Sequence, residues 1–241
     1  MGTIKTQAIV LRYADYREND RMLTLLSPVY GRIDAIARGC KRPKSPLLAA
    51  SEWFAQGEYV LYVSGGHVTV TSCLLQESFY PIRQDYERLE NATYLLSLCE
   101  ASAQPGQASL GLFKLITRSL LRLAYKDLDP RAVTSAFLLF TCALEGYLPV
   151  LDRCVRCQKP MPAQPRYAFD IEGGGLVCPS CQRMEDRLLH LTERNVAWIR
   201  DVLKEGVEMT EMPPDDAPLH LLMDYTEAKL ECHPPAGKMI R

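Results

Sequence analysis

Two cysteine pairs, Cys154-x-x-Cys157 and Cys178-x-x-Cys181, stand 20 residues apart in a chain of 241. A C-x-x-C pair turns the backbone so that both sulfurs face one ion, and two such pairs at ribbon spacing can close a tetrahedron around zinc. Turn formers surround both: Pro149, Pro160 and Pro162 near the first, Gly173-Gly174-Gly175 and Pro179 around the second. Four cysteine ligands leave no position for water, so one structural zinc per chain is expected, a staple for the fold and not a catalyst. The competing chemistry is redox work or disulfide exchange, which two matched pairs at this spacing seldom perform. Neither a His-x-Glu nor a His-Glu-x-x-His motif occurs in the chain.

The other residues able to do chemistry are cations. Arg38-Gly39-Cys40-Lys41-Arg42-Pro43-Lys44-Ser45 follows a strand on which alternation puts Arg32, Asp34, Ile36 and Arg38 on one face. Lys41, Arg42 and Lys44 are expected on a flexible loop, able to follow phosphates whatever the base sequence, with Tyr13, Tyr16 and Trp53 as stacking surfaces. A solvated turn with its aromatics in the core is the alternative. Further along, Lys114, Arg118, Arg122 and Lys126 recur every four residues. Like charges at that spacing repel, which an acidic peptide would relieve, while a plain solvated helix face is the alternative. The repeat drifts about 40° per step on a helix, so only neighbouring members share a face. His67, His190, His220 and His233 lie far apart without a paired acid or nucleophile, and the triple glycine lacks the Lys-Ser/Thr of a phosphate loop.

The elements that must position these groups change character along the chain. Segments 4–12, 21–27, 32–38, 58–63 and 68–74 are short, β-branched and aromatic, and are separated by Ser27-Pro28 and Ser64-Gly65-Gly66-His67. Five strands in this span predict a small closed barrel over residues 1–80, of OB-fold or SH3-like type. After Pro81 helical periodicity takes over: Leu89, Ala92, Leu96 and Cys99; then Leu112, Ile116, Leu120 and Leu123; then Val133, Phe137, Phe140 and Leu144. Asp129-Pro130 reads as an N-cap with proline at the first helical position. The third helix, apolar from Ala136 to Leu144, is expected at the bundle's centre. An α+β, multidomain chain follows, with an all-α helical domain over 81–241 that contains a zinc module over 149–187. The tail from His233 is expected to be mobile.

Composition bounds the function classes. The net charge of −1 hides +2 over residues 1–82 and −3 over 83–241, so any nucleic-acid face is local. The zinc module has six Lys/Arg against five Asp/Glu, and a tetrathiolate zinc would bring it to about −1, which suits a staple better than a phosphate reader. No apolar run reaches the roughly 18 residues of a membrane span, and the first residues lack a signal peptide's apolar stretch. With nine cysteines, five of them scattered, reduced thiols and a cytoplasmic protein with no membrane partner are expected.

Several stretches together resemble the bacterial RecO family of recombination and repair proteins, from Thr3 to about Leu230. They are Tyr16-Arg17-Glu18-Asn19-Asp20, the run Gly31 to Arg42, Leu144-Glu145-Gly146-Tyr147-Leu148-Pro149 leading into Cys154, and Phe169 with the triple glycine and Cys178. The resemblance implies an N-terminal OB-fold, a helical domain and a four-cysteine zinc site in a protein that is not an enzyme. It implies binding to single- and double-stranded DNA, strand annealing, association with RecR and with the acidic tail of single-stranded DNA-binding protein, help in loading RecA, and a nucleoid association. Arg32, Arg38, Lys41, Arg42 and Lys44 match the family's DNA-binding face, and Lys114, Arg118 and Arg122 are the candidates for the acidic tail. Two rivals come from other classes: a zinc-dependent nucleic-acid-modifying enzyme, which needs an open metal position, and an interaction scaffold that uses the barrel for protein contacts.

Overall fold

The computed structural model describes residues 2–209, 215–234 and 236–237. Contacts divide the described residues into two compact units, 2–125 with 234 and 236, and 126–209 with 215–233 and 237. The change from strands to helices falls near residue 80, as the periodicity predicts. The first two helices nevertheless belong to the same unit as the strands.

In the first unit β1 (Gly2–Arg17), β2 (Asp20–Ser27), β3 (Gly31–Ala37), β4 (Gln56–Ser64) and β5 (His67–Glu77) form a closed barrel in the order β1-β2-β3-β5-β4. The long β1 makes closure possible: Gly2 to Ile9 pair with β4, Ile9 to Arg17 pair with β2, and an irregularity at Val10/Arg12 bends the strand between the two partners. The interior is small and filled by alternate residues, among them Val10, Leu23, Leu25, Ala35, Leu61 and the fully buried Tyr59, whose hydroxyl donates to the Ala50 carbonyl at 2.7 Å.

Helix α1 (Tyr86–Ser102) starts at Asp85, whose carboxylate accepts from the Arg88 N–H, and α2 (Leu110–Tyr125) follows. Leu112, Ile116, Leu120 and Leu123 are all buried, the stripe expected from their spacing. The linker between the helices is laced to the β2–β3 turn: Arg32 N–H donates to the Gln104 carbonyl, Gly106 N–H to Tyr30 and Ser109 N–H to Pro28. Gly31 permits this approach. It sits at φ +64°, and a Cβ there would lie 2.2 Å from the Gln104 oxygen and 2.3 Å from that of Gln107.

In the second unit α3 (Pro130–Leu144), capped by Asp129, is buried from Ala132 through Leu139 and packs on α5 (Ala217–Leu230), which makes it the centre of that unit. Helix α4 (Glu193–Glu205) begins with a Thr192/Asn195 capping box. The expectation of an all-helical domain outside the zinc module is corrected at residues 189–192, which form a strand just past the module's end and pair with a strand inside it. A three-stranded antiparallel sheet, ordered β7-β6-β8, is built from β6 (Arg166–Asp170), β7 (Gly175–Val177) and β8 (Leu189–Thr192). These strands have three to five residues, too few for alternation to register as a pattern. Of the tail expected to be mobile, Pro234 and Ala236 are buried and His233 is exposed; residues 235 and 238–241 lie outside the described ones.

The close approach at Gly31 yields a graded expectation. Gly106→Ala, at φ +76° with open space around it, should cost about 1–2 kcal/mol from backbone conformation alone. Gly31→Ala adds displacement of two carbonyls and should cost at least twice as much in denaturant unfolding. Equal costs would mean that the linker yields freely.

Candidate nucleic-acid interface and metal centre

The cationic segment is positioned by β3. Gly31, Ile33, Ala35 and Ala37 are buried in strict alternation, so Arg32, Asp34, Ile36 and Arg38 face outward. The chain then makes tight turns and does not form the flexible loop expected from its charge. Cys40 is fully buried and Leu47 nearly so, both in the barrel core. Gly39 N–H donates to the Asp20 carboxylate at 2.7 Å, Lys41 N–H to the Asn19 carbonyl at 3.1 Å, and Ser45 N–H to the Arg42 carbonyl at 2.9 Å. The segment is anchored because Cys40 within it and Leu47 just beyond it plug the barrel.

The five candidate cations are therefore in different situations. Arg38, Arg42 and Lys44 are exposed, and no hydrogen bond or ion pair engages their side chains among the described residues. Lys41 is half-buried and paired with Asp15 at 2.8 Å, and that hydrogen bond holds the Asp15 carboxyl below its ordinary range. Arg32 donates from Nη1 to the Glu100 carbonyl in the last turn of α1 at 3.2 Å, while Arg12 pairs with the Glu100 carboxylate at 2.8 Å. Of the expected stacking residues, Tyr13 is half-buried against the barrel core with the Arg21 guanidinium 3.9 Å from its ring centre, and Trp53 lies 5.7 Å from Tyr13. Tyr16 projects into solvent. Spacing gave no sign of Tyr62, which is exposed on the outer face of β4.

On α2, Lys114 and Arg118 are exposed and Arg122 is half-buried. From α1, Arg88 donates to the Leu123 carbonyl at 3.0 Å and so caps the end of the same helix.

The four cysteines converge. Their sulfurs lie within 4.8 Å of one another, and Cys157 Sγ is 3.7 Å from Cys178 Sγ. A tetrahedron with metal–sulfur bonds of about 2.3 Å has edges of about 3.8 Å, so the donor set fits zinc. Burial opposes ionisation of Cys154, but N–H groups of Cys178, Cys157 and Arg156 at its sulfur bring that thiol down to about 6. The Ser180 hydroxyl, 3.2 Å from Cys178 Sγ, lowers the second thiol. Cys181, donating to Cys178, is pushed up to about 12. The protein thus favours thiolates at Cys154 and Cys178, and a bound cation would favour the thiolate at Cys181. Gln158, at φ +61°, turns the chain after the first pair. Gly175 lies so close to Val150 that a Cβ would meet its carbonyl oxygen at 2.4 Å.

Arg156, between the first two cysteines, ties the two halves of the centre together. It donates to the Cys181 carbonyl at 2.7 Å and pairs with Asp186 at 2.6 Å and Asp170 on β6 at 3.0 Å.

Two family models match this architecture: "Recombination protein O N terminal" over residues 1–79 and "Recombination protein O C terminal" over residues 83–233. The chain belongs to the recombination protein O family. Relatives named DNA repair protein RecO are 33% identical over 77% of this chain and 69% of the Moorella thermoacetica protein, 32% over 85% and 82% for Alkaliphilus metalliredigens, and 31% over 80% and 76% for Acetivibrio thermocellus. Membership in the RecO family places the chain among DNA repair and recombination proteins, and no helix among the described residues is long and apolar enough to cross a membrane.

If Arg156 is the tie between the cysteine pairs, Arg156→Ala should accelerate amide exchange severalfold across Cys178–Asp186 and along β6. Lys159→Ala, at an exposed neighbouring position, should leave it unchanged.

Proposed function

We propose that this protein is a recombination mediator that binds single- and double-stranded DNA, anneals complementary strands and, with RecR, helps load RecA on DNA coated by single-stranded DNA-binding protein. The observation that carries this reading is the exposed Arg38, Arg42 and Lys44, held on a rigid turn system outside a five-stranded barrel in a chain of this family. The barrel is best read as an OB-fold: five strands joined in Greek-key order, with β3 and β5 meeting in parallel. Cations without acidic partners track phosphates in either strand form, which a mediator that handles both forms requires. In this account Arg38, Arg42 and Lys44 contact phosphate, while Arg32 and Lys41 hold the face in place through Glu100 and Asp15. The protein works in the cytoplasm at the nucleoid.

The cysteine centre is proposed to hold one structural zinc. Bound zinc supplies a cross-link between the two cysteine pairs, and all four of its positions are filled by sulfur, which argues against the rival of a zinc-dependent enzyme. The exposed Lys114 and Arg118, with Arg122, are proposed to receive the acidic tail of single-stranded DNA-binding protein on α2.

Four variants and a metal analysis test these assignments. Arg42→Ala with Lys44→Ala should weaken DNA binding alike for all sequences and flatten the log–log salt dependence for single strands by about 1.4, two contacts at about 0.7 each. Lys41→Ala should do less, because Asp15 already offsets that charge. Freshly purified protein should contain one zinc per chain, and Cys154→Ser should lose it and loosen residues 149–187 while the barrel stays folded. Arg118→Ala with Arg122→Ala should abolish capture of the tail peptide and spare naked-DNA binding; unchanged peptide affinity would make the stripe a solvated face.

A further inference from the structure

The phosphate-tracking cations leave one feature of the barrel unexplained, the junction of β3 with β5. These strands meet at a single pair, Ile36 with Thr69, whereas each other neighbouring pair of strands in the barrel runs through seven or more partners. Beside that pair β5 bulges: Val60 pairs with Ser72 but Leu61 with Val70, so Thr71 is the extra residue, and its hydroxyl donates to the Val60 carbonyl at 2.8 Å. A splayed junction next to a bulge leaves a depression in the sheet's outer surface. Here it is a cavity of about 480 Å³, lined among others by Tyr16, Ile36, Arg38, Tyr62, His67 and Thr69, and none of its lining residues is acidic. Two of its aromatic rings stand in water, Tyr16 at 49% and Tyr62 at 42% exposure.

The volume lies in the range of about 300–1,000 Å³ typical of small-molecule sites, and the lining has the two chemistries of a nucleobase. Phenol rings and Ile36 suit an apolar π-face, while the hydroxyls of Ser64 and Thr69 and the imidazole of His67 suit polar edges. Arg38 lines this cavity and stands just past the end of β3, so the phosphate attached to an inserted base would lie beside it.

We infer that the β3–β5 seam is a nucleobase pocket that admits a base only from an unpaired strand. The inference rests on the barrel face being the DNA surface. It divides that surface by task. Arg42 and Lys44 take phosphates from single or double strands, and Tyr62 with Tyr16 takes a base, which a duplex keeps stacked and paired. The seam then supplies the preference for single strands, and the turn cations supply affinity common to both forms.

The test measures binding by fluorescence anisotropy to a single-stranded oligonucleotide, its duplex and an abasic single strand of the same length, across a salt titration. The parent should bind the abasic strand more weakly than the intact one. Tyr16→Ala with Tyr62→Ala should weaken single-strand binding about tenfold, leave duplex binding within twofold, keep the salt slope and erase the discrimination against the abasic strand, while Tyr62→Phe should behave as the parent. An equal loss on duplex, a flattened salt slope, or a double variant that still discriminates would overturn the pocket and leave the DNA-binding reading standing. A parent that binds no oligonucleotide would overturn both. The abasic comparison on the parent needs no variant, so indifference to missing bases refutes the pocket even if the alanine variant fails to fold.

Discussion

The interior of the barrel is the constraint on which the functional surface depends. Five strands of this length enclose so little space that nearly every inward position must be filled, and alternate residues of β3, from Gly31 to Ala37, fill part of it. Cys40 and Leu47 complete the packing from beyond the strand's end. Every second residue of β3 is thereby forced outward, and the turns after it are fixed at both ends by buried side chains. Arg38, Arg42 and Lys44 are thus held on a stiff frame, which spares the entropy that ordering a loose loop on a ligand would cost. Asp20 and Asp15 reinforce the frame by binding Gly39 and Lys41, so part of the local charge is used in holding the turns.

The second unit achieves order differently. Its buried centre is α3 against α5, while the cysteine segment has only a small apolar cluster of Cys154, Val177 and Cys178 with a few half-buried neighbours. A cluster that small cannot hold two loops by burial alone. The sheet β7-β6-β8, the Arg156 ties to Asp170 and Asp186, and four converging sulfurs make up the deficit. Because Arg156 is committed to those carboxylates, its charge is not available to a polyanion, in keeping with a stapling role for the cysteines.

Much of this was legible in the sequence where the signal is local and repeated. Short β-branched and aromatic runs between turn signals located five strands to within a few residues, except for β1, whose ends run past the expected segment because the strand serves two partners. The buried stripe of α2, the Asp129 cap and the four-cysteine cluster follow from spacing alone. The failures are of two kinds. Strands β6, β7 and β8 are too short to carry a period, and they persist because tertiary pairing holds them. The state of individual cations was hidden for another reason: Arg32 meets Glu100 and Lys41 meets Asp15 across long sequence separations that composition does not record. The seam cavity was hidden in the same way, since it draws Tyr16, Arg38, Tyr62 and His67 from four strands or their ends.

In the proposed mode of binding, DNA runs over the outer face of β3 and its following turns. The most direct measurement is photo-crosslinking of a thiothymidine-substituted single strand to the full-length protein, followed by peptide mapping. Crosslinks should concentrate in residues 36–44 and 62–71 and be lost together as salt is raised. Crosslinks confined to the cysteine segment or to α4 and α5, with the barrel unlabelled, would contradict it.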